Sequence, residues 1–165
     1  MSGSPVIASD QASKTVVYYT PSAHAYFPVI RNGVIRPVYF GNNDLSLTLS
    51  TAHTASGIFD VFGIGDGSNG RIVTGPAWAT PTAGSGARGT GGGTTESYRA
   101  GGMLVNRWGI PGLSAEGSSH IAPLEGTYLG SIFMDGSNGQ ITCHVSYGQS
   151  RKWGVWNAYN RKTIQ

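Results

Sequence analysis

The residues that could do chemistry are few and badly spaced for it. Cys143 and His144 are neighbours near the end of the chain, inside ITCHVSYG, where small and large residues alternate. In a strand, neighbouring side chains point to opposite faces, so this thiol and this imidazole cannot pair. Cys143 is therefore expected as a small core residue and His144 on the polar face with Thr142 and Ser146. The remaining histidines, His24, His53 and His120, stand at no metal-ligand spacing such as HxH or HxxxH. Asp60 lies in the apolar run IFDVFGI, where the reading is a hydrogen-bonded side chain at an inter-strand or subunit contact. It has no facing acid of the kind that a paired-carboxylate hydrolase needs.

Two glycine-rich motifs invite ligand readings and fail them. DGSNG occurs at 66–70 and again at 135–139. Its oxygens suit calcium, but the alternating acids and distant glutamate of an EF-hand loop are missing. It reads as one turn chemistry used twice. GSGARGTGGGTT, around Arg88, lacks the Lys-Ser/Thr pair and following helix of a phosphate loop. It reads as a flexible, low-complexity connection. A connection this long in a compact domain usually carries function or packs on a partner. Trp78 beside it is expected at the surface, and Trp78, Arg88 and Tyr98 are the candidate binding residues. Neither an enzyme nor a cofactor is expected.

Composition says what must position these residues. Of 165 residues only 12% are charged, 26 are glycine and 39% are apolar. Low charge with many Gly, Thr and Ser and scattered aromatics describes an all-β chain with many turns. One cysteine excludes an internal disulfide. The net charge of +3 comes from basic residues spread along the chain, which is no nucleic-acid footprint. No apolar run reaches the length of a membrane span. The opening MSGSPVIASDQASKT has no apolar core of signal-peptide length.

Taken in order, residues 1–14 read as an extended arm and 15–165 as one domain, an antiparallel β-sandwich or jelly roll. TVVYYT is a strand stopped by Pro21. Tyr26 to Ile30 and Val34 to Phe40 form a hairpin about Asn32-Gly33, the pair that a type I′ turn selects, and Pro28 argues for an edge. Leu45, Leu47 and Leu49 alternate with Ser46, Thr48 and Ser50, giving one face to the core. Ile58 to Ile64 is apolar on both faces, as a central strand is. Residues 110–124 read as loop. The densest run of β-formers, Thr127 to Arg161, reads as a meander in which Tyr147, Trp153, Trp156 and Tyr159 are packing and oligomer anchors. The pairs Arg151-Lys152 and Arg161-Lys162 flank its last strand.

The segments VVYYTPSAHAYFPVIRNGVIRPVYF, FDVFGIGDGSNGRIVTGPAW, GARGTGGGTTE and TYLGSIFMDGSNGQITCHVSYGQSRKWGVWNAYNR resemble a domain of tailed-bacteriophage virion-surface proteins of the tail-fibre kind. The most specific part is SYGQSRKWGVWNAYNR. The resemblance implies a structural protein of the virion, made in the host cytoplasm, with other virion proteins and copies of itself as partners, a homotrimer foremost. Capsid decoration is one alternative, and a lectin-like module binding a host surface glycan is another. Neither membrane nor specific nucleic acid is implied, and no catalytic residues carry over.

Overall fold

The computed structural model describes residues 10–20, 25–41, 44–66, 69–82, 84–117 and 119–143. Thirteen strands follow in chain order: β1 Gln11–Lys14, β2 Val16–Tyr19, β3 Tyr26–Arg31, β4 Val34–Tyr39, β5 Leu45–Thr48, β6 Ile58–Asp66, β7 Asn69–Ala77, β8 Ser97–Ala100, β9 Met103–Asn106, β10 Ile110–Gly112, β11 Ser119–Ile121, β12 Thr127–Phe133 and β13 Ile141–Cys143. All pair antiparallel, and no helix occurs among the described residues. The all-β expectation therefore holds.

The organising layer is a five-stranded sheet ordered β7-β6-β12-β9-β8, flanked by two-stranded ribbons β2-β5, β3-β4 and β10-β11. Strand alternation assigns the ribbons to its faces. On one face Phe59, Val61 and Ile72 pack with Leu47 and Leu49, the inward leucines of the alternating segment. On the same face Phe27 of β3 lies over glycines. A Cβ on Gly63 would stand 2.8 Å from the Phe27 ring, and one on Gly70 would stand 3.0 Å from it. Glycine is what lets the aromatic ribbon lie against the backbone here. On the opposite face Phe62, Ile64 and Val73 meet Ile110 and Ile121 of β10 and β11. Both faces of β6 are thus covered, as its continuous apolar pattern requires.

The β3–β4 turn is the expected one, with Asn32 at φ 52 and Gly33 at φ 74 between Arg31 and Val34. Four expectations are corrected. β12 and β13 do not form a meander: β12 pairs with β6 and β9, whereas β13 pairs with β1. Gln11–Lys14, at the end of the stretch read as an arm, supplies that partner. Residues 110–124 are not simply loop, because they fold into the β10–β11 ribbon and bury Ile110 and Ile121. Cys143 is exposed rather than a core residue.

Of the first DGSNG copy, Asp66 and Asn69 pair across β6 and β7. The second is an Asx turn, with the Ser137 amide donating to Asp135 Oδ1 at 2.8 Å. It docks on the 50–57 turn, where Ala55 N–H donates to Asn138 Oδ1 at 2.7 Å. Beneath that junction His53 is fully buried against Phe59. Its Nδ1 lies 3.0 Å from the Ser50 amide nitrogen and 3.2 Å from the Ser50 carbonyl oxygen, and its Nε2 lies 2.8 Å from Thr74 Oγ1. Burial holds its pKa below the ordinary value.

Candidate functional site

Asp60 is fully buried near the start of β6. The ladder is irregular on both sides of it. Towards β7 the register slips between Phe59 and Val61, so that Gly75 and Pro76 oppose the single residue Asp60. Towards β12 it slips between Tyr128 and Gly130, and this bulge brings Tyr128 and Ser131 to the same face as Asp60.

Four hydrogen bonds converge on the carboxylate. Arg88 Nε donates to Oδ2 at 2.6 Å, and its Nη2 donates to Oδ1 at 3.3 Å. Trp78 Nε1 donates to Oδ1 at 3.0 Å, and Ser131 Oγ donates to Oδ1 at 2.6 Å. Because the Ser131 proton goes to Asp60, the Tyr128 hydroxyl, 2.9 Å from Ser131 Oγ, must donate in turn. Burial first, and the nearby Asp60 charge, raise the Tyr128 pKa and keep that donor protonated. The guanidinium sits over two rings, 4.5 Å from the Trp78 centroid and 5.2 Å from that of Tyr128. Charge pairing, planar stacking and hydrogen bonding all use the same arginine, a combination lysine cannot supply.

This arrangement fastens one segment of the chain to another. The hydrogen-bond partners of Asp60 are a guanidinium, an indole and a hydroxyl, with no thiol or imidazole among them. What it fastens is the glycine-rich connection. Arg88 projects from that loop, Ala87 beside it is buried, and Thr80 N–H donates to the Ala87 carbonyl at 3.2 Å. The loop expected to be flexible is pinned at its middle. Gly86, Gly89, Gly91 and Gly93 all have positive φ, which explains the composition by backbone shape.

The sequence-derived candidates thus separate. Trp78 and Arg88 come together, in a half-buried node and not on an open surface. Tyr98 lies apart from them on the edge strand β8, 47% exposed. Tyr147, Trp153, Trp156 and Tyr159 lie outside the described residues, as do His144 and the two late basic pairs. Of the two described tryptophans, the exposed one is Trp108 and not Trp78.

Sequence reasoning missed Glu96. Its Oε2 accepts from Trp108 Nε1 at 2.6 Å and from the Gly91 amide at 2.9 Å, and its Oε1 accepts from Arg107 Nη1 at 2.7 Å. The Gly91 amide, then the Trp108 indole and the Arg107 charge, hold its carboxyl below the usual range. The signal available was the pair Arg107-Trp108, but nothing local connects it to residue 96. Among the described residues no three His, Cys, Asp or Glu side chains gather as a metal-ligand set. No described helix is long and apolar enough to cross a membrane. No protein-family model matches the chain, and neither a curated protein nor a solved structure matches it.

Proposed function

We propose that this chain is a structural module of a tailed-phage particle, a tail-fibre or tail-tip piece that associates with copies of itself, as a homotrimer, and with other virion proteins in assembly or host adsorption. The observation that carries the reading is the apolar outer face of the β3–β4 ribbon. Tyr26, Ile35 and Tyr39 are large, exposed and on one face of the hairpin, with the exposed pair Pro28 and Pro37 between them, and the Tyr26 and Tyr39 rings lie 5.0 Å apart. A ribbon that turns its phenylalanines inward and its tyrosines outward has a second surface to cover, and a patch of this kind marks an interaction face. The low charge of the chain and the segment resemblance to virion-surface domains support the same reading. The saturated Asp60 site supports a structural role over a catalytic one.

The test is the position and copy number of the protein in intact particles, by cryo-electron microscopy, together with light scattering of the purified chain. Density at the tail and a trimeric mass are expected. Copies on the head lattice would transfer the protein to capsid decoration, and a stable monomer in solution would count against self-association.

A further inference from the structure

Asn-Gly occurs three times in the chain, at 32–33, 69–70 and 138–139. The dipeptide carries its own chemistry. The glycine nitrogen can attack the side-chain amide carbon of the asparagine, and glycine has no side chain to hinder the approach. The fold gives each copy different surroundings.

Two copies are locked. At 138–139, Asn138 Oδ1 accepts from the Ala55 amide at 2.7 Å, and the Gly139 N–H donates to the His53 carbonyl at 2.8 Å. Gly139 is buried at φ 69, and a Cβ on it would stand 2.8 Å from the Ser50 carbonyl oxygen. Both reacting groups are thereby held by the 50–57 turn. At 69–70, both residues belong to β7 and pair with Asp66 and Gly65. Gly70 is buried, and a Cβ on it would stand 3.0 Å from the Phe27 ring and 3.1 Å from Phe40. The peptide between Asn69 and Gly70 cannot turn over without opening that packing.

The copy at 32–33 is open. Asn32 and Gly33 are exposed and lie outside the β3–β4 ladder. Among the described residues nothing accepts from the Gly33 amide or bonds to the Asn32 side chain. Nothing stands within 4 Å of where a Gly33 Cβ would be. With Asn32 at φ 52 and Gly33 at φ 74, the turn is of type I′. Rotating only the peptide between them gives type II′, which the same two-residue hairpin accepts. That rotation takes the Asn32 ψ to about −120°, where the Gly33 nitrogen faces the carbon it must attack.

We propose that Asn32 is a site of spontaneous deamidation, selected by the fold from three identical dipeptides. The Gly33 nitrogen gives up its proton and bonds to Asn32 Cγ. The Cγ–Nδ2 bond breaks, and ammonia leaves with that proton. Water then opens the resulting cyclic imide. Opening at the side-chain carbonyl yields aspartate. Opening at the main-chain carbonyl yields isoaspartate, with the backbone running through the former side chain. No group is oxidised or reduced. Either product puts a negative charge next to Arg31, and isoaspartate also lengthens the turn by one backbone atom. The chemistry does not rest on the virion reading, although it falls on the hairpin that carries the exposed tyrosines.

The test follows the purified full chain in mildly alkaline buffer by peptide mapping and mass spectrometry, beside a sample unfolded in guanidinium chloride. Unfolded, all three asparagines should convert at similar rates. Folded, Asn32 should convert at least about tenfold faster than Asn69 or Asn138, which react only from locally opened states. Asn32→Gln, whose longer side chain closes a less favourable ring, should remove most of the acidic product and leave the other two sites as they were. A smaller ratio in the folded chain, or an Asn32 that stays an amide while the unfolded chain converts, overturns the proposal. So does an unchanged yield of acidic product in Asn32→Gln.

Discussion

Arg88 Nε lies 2.6 Å from Asp60 Oδ2, and the aspartate is fully buried whereas the arginine side chain keeps 27% of its exposure. The two members of the pair therefore differ in what their loss leaves behind. Without Arg88, a carboxylate remains in the sheet interior with neutral donors alone. Without Asp60, the arginine can turn to water.

Arg88→Ala should accordingly be the more damaging truncation in its loop, at about 3 kcal/mol, the scale for stranding one member of a buried pair. Urea denaturation measures the loss, and limited proteolysis should find new cleavage between residues 79 and 95. Arg88→Lys should recover only part, because it keeps the charge but not the second hydrogen bond or the planar stacking. A loss below about 0.5 kcal/mol in Arg88→Ala, within the range of ordinary surface substitutions, would refute the fastening role.

Acid should weaken the fold in two windows. His53 has a folded pKa below its unfolded value of 6.5, so the unfolded chain takes up the proton first. Its stability contribution is complete above that value and declines as pH falls from there towards the folded pKa. Glu96 also has a lowered folded pKa, and its contribution is present above the ordinary 4.5 and is lost as pH falls through the folded value. Melting temperature followed from pH 7.5 to 3.5 should fall in both ranges. His53→Gln should flatten the upper range alone, and an unchanged slope there would exclude His53 as its source.

Glycines should divide sharply by what lies beside them. Gly63→Ala puts a methyl 2.8 Å from the Phe27 ring and should cost about 1–3 kcal/mol by overpacking. Gly130→Ala has nothing within 4 Å and should be close to neutral. Phe27→Leu combined with Gly63→Ala should show positive coupling in a double-mutant cycle, whereas simple additivity would place the two groups out of contact.

Cys143, exposed at the end of β13, should react with a thiol reagent in the folded protein without denaturant. Protection until unfolding would restore the core position expected from its alternation pattern.

Local chemistry was legible where the responsible residues are close in sequence. Asn32-Gly33 specifies its turn, and Leu45, Leu47 and Leu49 specify a face, because neighbours at fixed spacing decide both. Choice of partner was not legible. Ile141–Cys143 is as good a strand beside β12 as beside β1, and its alternation is the same in either place. Asp60 was legible as a hydrogen-bonded inter-strand side chain, but its partners were not: Arg88 and Ser131 reach it from 28 and 71 residues away, and the bulge that turns Tyr128 towards it is a property of paired strands. Low-complexity composition around Arg88 also concealed order, since the glycines serve a tightly wound backbone there.

The pairing of β6 with β12 has a consequence in time. β6, an interior strand of the main sheet, is made early, but Phe59 finds its partner on β12 only when Ile132 has been synthesised. At about 5–20 residues per second on the ribosome, that is a wait of several seconds or longer. Through that interval one edge of the most apolar strand has no partner, in a topology whose long-range pairings also fold slowly. Yield during expression, and the protein's dependence on chaperones, should therefore be governed less by the finished fold than by how long that one edge of β6 stays open.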